Sequence, residues 1–119
     1  MNNHKLKPVH ILLVEDNEGD ILLTREAFEE SKVITQISVS RNGQEALDFL
    51  FRRGTFMDAK KPDLILLDIN IPIYNGHEVL KQIKTDSILK KIPVIIFPRK
   101  QGVYKRKIQI YIFTSFTRL

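Results

Sequence analysis

Three acidic residues sit where this sequence abruptly stops being apolar. Val9 to Val14 is a continuous β-prone run that ends at Glu15 and Asp16, and Leu64 to Leu67 is a second such run that ends at Asp68. Read singly, an acid after a strand is an ordinary turn or helix-cap residue. Three carboxylates at the ends of two neighbouring strands repel one another unless a cation neutralises them. A hard divalent ion such as Mg²⁺ suits oxygen ligands and can also take a phosphoryl oxygen. Asp68 is the best nucleophile of the three, because the backbone of the most apolar strand holds it in place. Glu15 and Asp16 are then charge-compensating ligands. Composition and spacing carry the reading as far as a cation-binding α/β domain.

The elements that must position these acids follow from the hydrophobic rhythm. After Val9–Val14 the period changes at Asp20: Ile21, Leu22, Thr24, Arg25, Phe28 and Glu29 fit a helix with an apolar stripe and an acidic start. Asn17 and Asp20 shape or cap that entry. Val33 to Val39 is a partly polar strand suited to a sheet edge, Asn42 and Gly43 make a turn and cap, and Gln44 to Arg52 is helical. Leu64–Leu67 reads as a central strand; Pro72 and Asn75-Gly76 bound a loop, a third helix carries Val79, Leu80 and Ile83 to about Thr85, and Val94–Phe97 is a fourth strand. Repeated βα units predict a three-layer, doubly wound parallel sheet with right-handed crossovers, and ligands bind beyond the carboxyl ends of its strands. All three acids fall at that end.

The chain has 119 residues, enough for one domain, with 43% apolar and 28% charged side chains, an ordinary balance for a folded protein. It has no cysteine, which excludes disulfides and thiolate metal sites, and its apolar runs are too short for a signal peptide or a membrane span. A cytoplasmic location is the expectation. The net charge is +5, but residues 98 to 119 contain six Lys or Arg and no acid, leaving the other 97 residues with 13 basic and 14 acidic side chains. The basicity belongs to the tail, and a short positive run around Lys105-Arg106-Lys107 is read as solvated, without specific nucleic-acid binding. His77 reads as a surface side chain, and His4 and His10 lack the matching cluster a zinc site needs.

With these residues in view, the chain resembles the receiver domain of bacterial response regulators, especially the stand-alone type. The resemblance runs through Ile11-Leu12-Leu13-Val14-Glu15-Asp16-Asn17, Asn42-Gly43-Gln44-Glu45-Ala46-Leu47, Pro62-Asp63-Leu64-Ile65-Leu66-Leu67-Asp68, Pro72 with Gly76-His77-Glu78-Val79-Leu80, and Ile92-Pro93-Val94-Ile95-Ile96. It implies a flavodoxin-like sheet ordered 2-1-3-4-5 and a phosphoacceptor, not an enzyme, in a two-component phosphorelay. Asp68 would take the phosphoryl group from a sensor histidine kinase or histidine phosphotransfer protein. Mg²⁺ would be held by Asp16, Asp68 and the backbone carbonyl of Asn70, with Glu15 beside it. Thr24 and Phe28 lie on the helix with which the family meets that partner.

Two departures define the end of the resemblance. The family ends its fourth strand with Thr or Ser, whose hydroxyl meets the phosphoryl group, whereas this chain has Pro98, with neither hydroxyl nor N–H. The family's Lys after a fifth strand has no counterpart at its usual spacing, and Lys105 and Lys107 reach the pocket only by an unusual path. The domain core is therefore drawn at 1–97 and a divergent basic tail at 98–119. Phe97 to Gln101 could be encoded by bases that spell Ser-Ser-Lys-Ala in another frame, which suggests a disrupted reading frame. The stretch 108–113 is an extra strand that returns antiparallel beside the fourth more easily than it forms a fifth parallel strand. With the last βα units missing or replaced, apolar surface on the fourth strand must be covered by the tail or by a second copy. Three readings stand: a working receiver, a phosphorylation-deficient receiver-like interaction protein, and a domain-swapped oligomer or unstable fragment.

Overall fold

A computed structural model of the chain describes residues 7–97 together with Tyr111 and Ile112. Four parallel strands, β1 (Val9–Val14), β2 (Thr35–Ser40), β3 (Leu64–Asp68) and β4 (Val94–Phe97), lie in the order β2-β1-β3-β4. The two-residue strand β5 (Tyr111–Ile112) runs antiparallel beside β4, pairing Ile95 with Ile112 and Ile96 with Tyr111. The strand order β2-β1-β3-β4-β5 is the one the resemblance implies, and β5 runs antiparallel, as expected for a strand within 108–113, where the family's fifth strand is parallel. The crossovers of the parallel core carry the helices α1 (Glu18–Glu30), α2 (Gly43–Leu50) and α3 (Gly76–Lys84).

Period-2 alternation along the central strands divides the interior into two layers. Leu12, Val14, Ile65, Leu67 and Val94 point to one face, where Ala46, Leu47 and Leu50 of α2 and Val79 and Ile83 of α3 cover them. Ile11, Leu13 and Leu66 point to the other, against Ile21 and Phe28 of α1. Among the described residues no helix is long and apolar enough to cross a membrane.

Each helix begins at an asparagine whose side chain accepts a backbone N–H of the first turn: Asn17 from Asp20, Asn42 from Glu45 and Asn75 from Glu78. Glu78 returns the bond to the Asn75 N–H and completes a capping box. The Asn17 cap starts α1 at Glu18, two residues before the expected Asp20. Its buried stripe is Ile21, Thr24 and Phe28; Leu22, expected in the stripe, is exposed, because its helical angle carries it away from the sheet. Strand β2 begins at Thr35, not Val33. Val33 and Ile34 are exposed in the turn after α1, where the Val33 N–H donates to Ser31 Oγ. Strand β2 does lie at the sheet edge, as its polar content predicts.

His10 is buried near the start of β1, its Nε2 2.9 Å from Ser38 Oγ and its backbone N–H donating to Asp63 Oδ2. It is a core side chain at the opposite end of β1 from Glu15 and Asp16. His77 is exposed on α3, as expected. His4, Pro98, Lys105, Lys107 and most of the tail on which sequence expectations rest lie outside the described residues.

If Ile83 anchors α3 to the sheet, Ile83→Ala will lower unfolding free energy by about 2 to 5 kcal/mol in urea titration, whereas Ile88→Ala, at an exposed site, will stay within about 0.5 kcal/mol.

Candidate functional site

The register of β1 against β3 builds the site. Leu13 pairs with Leu66 and Val14 with Leu67, so the next residues, Glu15 and Asp68, leave the sheet side by side. Alternation gives Glu15 the same face as Ile11 and Leu13, and Asp68 the same face as Leu64 and Leu66. Both carboxylates are consequently buried, at 1% and 0% exposure, while Asp16 is exposed at the rim. Carboxylate oxygens of Glu15, Asp16 and Asp68 all lie within 4.8 Å of one another. The sequence placed these three acids at one edge; the fold brings them into one cluster able to hold a divalent metal ion.

The loops that follow the strands turn their amides onto the acids. The Asn17 N–H donates to Glu15 Oε2 at 3.2 Å, and the Asn70 N–H donates to Asp68 Oδ1 at 3.1 Å. Each acid thereby closes a short side-chain turn that holds its carboxylate in place. The Glu15 N–H donates to the carbonyl of Ser40, itself buried, which ties the site to the end of β2. Arg41 joins the loop after β2 to the start of α1 through Glu18, at 2.7 Å, and its own N–H donates to Glu45.

Burial pushes the Glu15 carboxyl up to about 8 from an ordinary 4.5; the negative charge of Asp68 adds to the rise, and the Asn17 N–H opposes it. This is the electrostatic signature of a pocket holding more negative charge than its surroundings stabilise. The donor set, three carboxylates and no thiolate or imidazole, fits a hard divalent cation.

The remaining expectations divide. Thr24 is buried, with its hydroxyl donating to the Asp20 carbonyl, and Phe28 packs in the α1 layer, so Thr24 is a packing residue; the exposed apolar side chains of α1 are Leu22 and Leu23. Gly43 and Gly76 are not turn glycines with left-handed backbone, since Gly54 is the glycine with positive φ among the described residues. Close approach requires them instead. A Cβ on Gly43 would lie 2.6 Å from Tyr74 Cβ, and one on Gly76 would lie 2.7 Å from Ile69 Cα and 2.8 Å from the Asp68 carbonyl oxygen. Ile73, in the same loop, has φ 71°, a left-handed conformation that a β-branched residue rarely adopts. The Asn-Gly pairs were visible in the sequence, but their steric purpose was not.

A group whose folded pKa is raised stabilises the fold fully below its unfolded pKa and loses that contribution as pH rises through the folded value. For Glu15 the window runs from 4.5 to about 8. In metal-free protein the Glu15 contribution is expected to lower the melting temperature as pH rises from 4.5 to about 8, Glu15→Gln to flatten that slope, and Mg²⁺ to raise melting most at the alkaline end. Scanning calorimetry over pH, with chelator or with Mg²⁺, checks all three.

The response regulator receiver domain family matches residues 11–112 of this chain. Among curated proteins, response regulator Rcp1 of Synechocystis sp. is 38% identical over 96 residues, 81% of this chain and 65% of that protein. The polar-differentiation response regulator DivK of Brucella anthropi is 42% identical over 88 residues, 74% of this chain and 64% of that protein. The chain thus spans less than two thirds of the length of these curated relatives. Among solved structures, the phosphorylated cyanobacterial phytochrome response regulator RcpA superposes with a TM-score of 0.75 at 43% identity, covering 81% of this chain and 69% of that one. The Mn²⁺-bound form of Rcp1 superposes with a TM-score of 0.75 at 38% identity, covering 80% and 68%. Sheet order, acidic cluster and sequence agree, and the chain belongs to the response-regulator receiver domain family.

Proposed function

We propose that this chain is a phosphoacceptor in a two-component phosphorelay, receiving a phosphoryl group on Asp68 from a sensor histidine kinase or histidine phosphotransfer protein in the cytoplasm. The observation that carries the reading is the clustering of Glu15, Asp16 and Asp68 within 4.8 Å at the carboxyl edge of the sheet. Asp16, Asp68 and the backbone carbonyl of Asn70 would hold Mg²⁺, with Glu15 beside it. Two relatives support this assignment: one solved relative is phosphorylated and another holds Mn²⁺.

The chemistry asked of the protein is modest. A carboxylate oxygen of Asp68 attacks phosphorus, the bond from phosphorus to the donor histidine nitrogen breaks, and its electron pair leaves with the imidazole, giving an aspartyl phosphate. Burial of Asp68 excludes competing water, and the Asn70 N–H on Oδ1 limits rotation of the carboxylate. When bound, Mg²⁺ supplies positive charge that offsets the acids and the incoming phosphoryl oxygens. Asp16, exposed at the rim, lies where such an ion enters from solvent. The chain accepts the group and is not an enzyme acting on a separate substrate.

A second reading, a receiver-like interaction protein that is not phosphorylated and that associates with itself, rests on Pro98 in place of the family's hydroxyl. Intact mass after incubation with acetyl phosphate separates the two. The first reading expects a phosphoryl adduct that requires Mg²⁺ and disappears in Asp68→Asn. A folded wild-type chain without adduct leaves the second, and its mass in solution then shows whether it pairs with another copy.

A further inference from the structure

The loop between β3 and α3, residues 69–75, is gripped at three points. At its start and end, the Gly76 N–H donates to the Ile69 carbonyl at 2.9 Å, and the Asp68 and Ile69 backbone passes where a Cβ on Gly76 would stand. In the middle, Ile71 is buried in the α2–α3 layer. Near the tip, the Gly43 N–H, at the first residue of α2, donates to the Pro72 carbonyl at 3.1 Å. A Cβ on Gly43 would meet Tyr74 Cβ at 2.6 Å and its carbonyl carbon at 2.8 Å, with the carbonyl oxygen closer still. Those separations are far inside van der Waals contact, so any side chain at residue 43 must push the loop away. Between the two glycine contacts sits Ile73 at φ 71°, 67% exposed, with its backbone in a conformation it avoids unless neighbours impose it.

We propose that Gly43 is a positioning residue for phosphoryl acceptance: by letting α2 dock directly on the backbone of Tyr74, it fixes the loop that presents Asn70 to the metal and holds Ile73 in its strained conformation. The inference rests on the phosphoacceptor reading for its consequence, but the geometry concerns metal binding first. Gly43 touches neither the acids nor the phosphoryl group. Its effect passes through the Tyr74 and Pro72 backbone to Asn70, whose N–H bonds Asp68. Ile73 transmits the displacement, because a β-branched residue already at positive φ has little freedom to absorb it. A glycine there would absorb it at no steric cost.

The test uses the full chain as wild type, Gly43→Ala, Ile73→Gly and the double variant, with Mg²⁺ affinity read by isothermal titration and folding by thermal melting. Gly43→Ala is expected to melt cooperatively and bind Mg²⁺ about tenfold more weakly, the scale of losing a group that orients a metal ligand. The double variant is expected to regain most of that affinity. A folded Gly43→Ala with wild-type affinity overturns the proposal, as does a double variant as weak as the single, which would make the glycine merely structural. Should Gly43→Ala fail to fold, ¹⁵N spectra of the wild type decide: the Gly43 amide must shift with Mg²⁺ at the same midpoint as the Asn70 amide, and an unmoved Gly43 amide overturns it. Wild type that binds Mg²⁺ but takes no phosphoryl group from acetyl phosphate removes the phosphoacceptor reading and leaves the affinity comparison intact. Wild type that does not bind Mg²⁺ removes both.

Discussion

The parallel register of β1 with β3 forces two carboxylates, Glu15 and Asp68, into one buried space. Two unit charges at about 4.8 Å repel by roughly 3 kcal/mol at an effective dielectric constant near 20. That is a substantial fraction of the 5 to 15 kcal/mol by which a domain is usually stable, so the pair must be relieved by a proton or a cation. The strands cannot separate to relieve it, because Ile11, Leu13 and Leu66 directly beneath the acids are packed against α1. A pocket that is uncomfortable when empty of positive charge is a pocket that selects for it.

The surrounding structure limits how the acids can respond. Each carboxylate accepts an amide from its own loop, which keeps Glu15 and Asp68 from swinging into solvent. Arg41 and Ser40 bind the loop after β2 to the same corner, so that three strand ends and the start of α1 form one polar rim. Below it the two apolar layers are rigid supports. Fully buried Leu12, Val14, Leu67 and Val79 on the α2–α3 side leave little freedom to shift a strand without opening a cavity. The site is thus exact because the core is closed, and the β3–α3 loop is the part that can be moved by a local change.

The glycines illustrate how different physical demands produce the same residue type. Gly54 occupies a left-handed backbone conformation, with open space where a Cβ would stand. Gly43 and Gly76 have no such backbone demand and are needed because another backbone passes where a Cβ would stand. Both kinds of glycine follow or precede polar residues in the sequence, and nothing in composition separates them.

Strand and helix identity, the two-layer interior and the position of the acids were legible in the chain because they depend on local periodicity. Val9–Val14 and Leu64–Asp68 are short, nearly continuous apolar runs, as strands buried on both faces must be, and Asn17, Asn42 and Asn75 announce helix starts through their own side chains. Less legible were the exposure of Leu22, the burial of Thr24, the late start of β2 and the conformation of Ile73, since each depends on which neighbouring element approaches and from what angle. The sequence by itself determined that Glu15, Asp16 and Asp68 end their strands. Only the tertiary structure decided that Glu15 and Asp68 share a buried space, that this raises the Glu15 pKa, and that Gly43 meets Tyr74, because register and contact distance between segments far apart in the chain are set by packing, not by any local pattern.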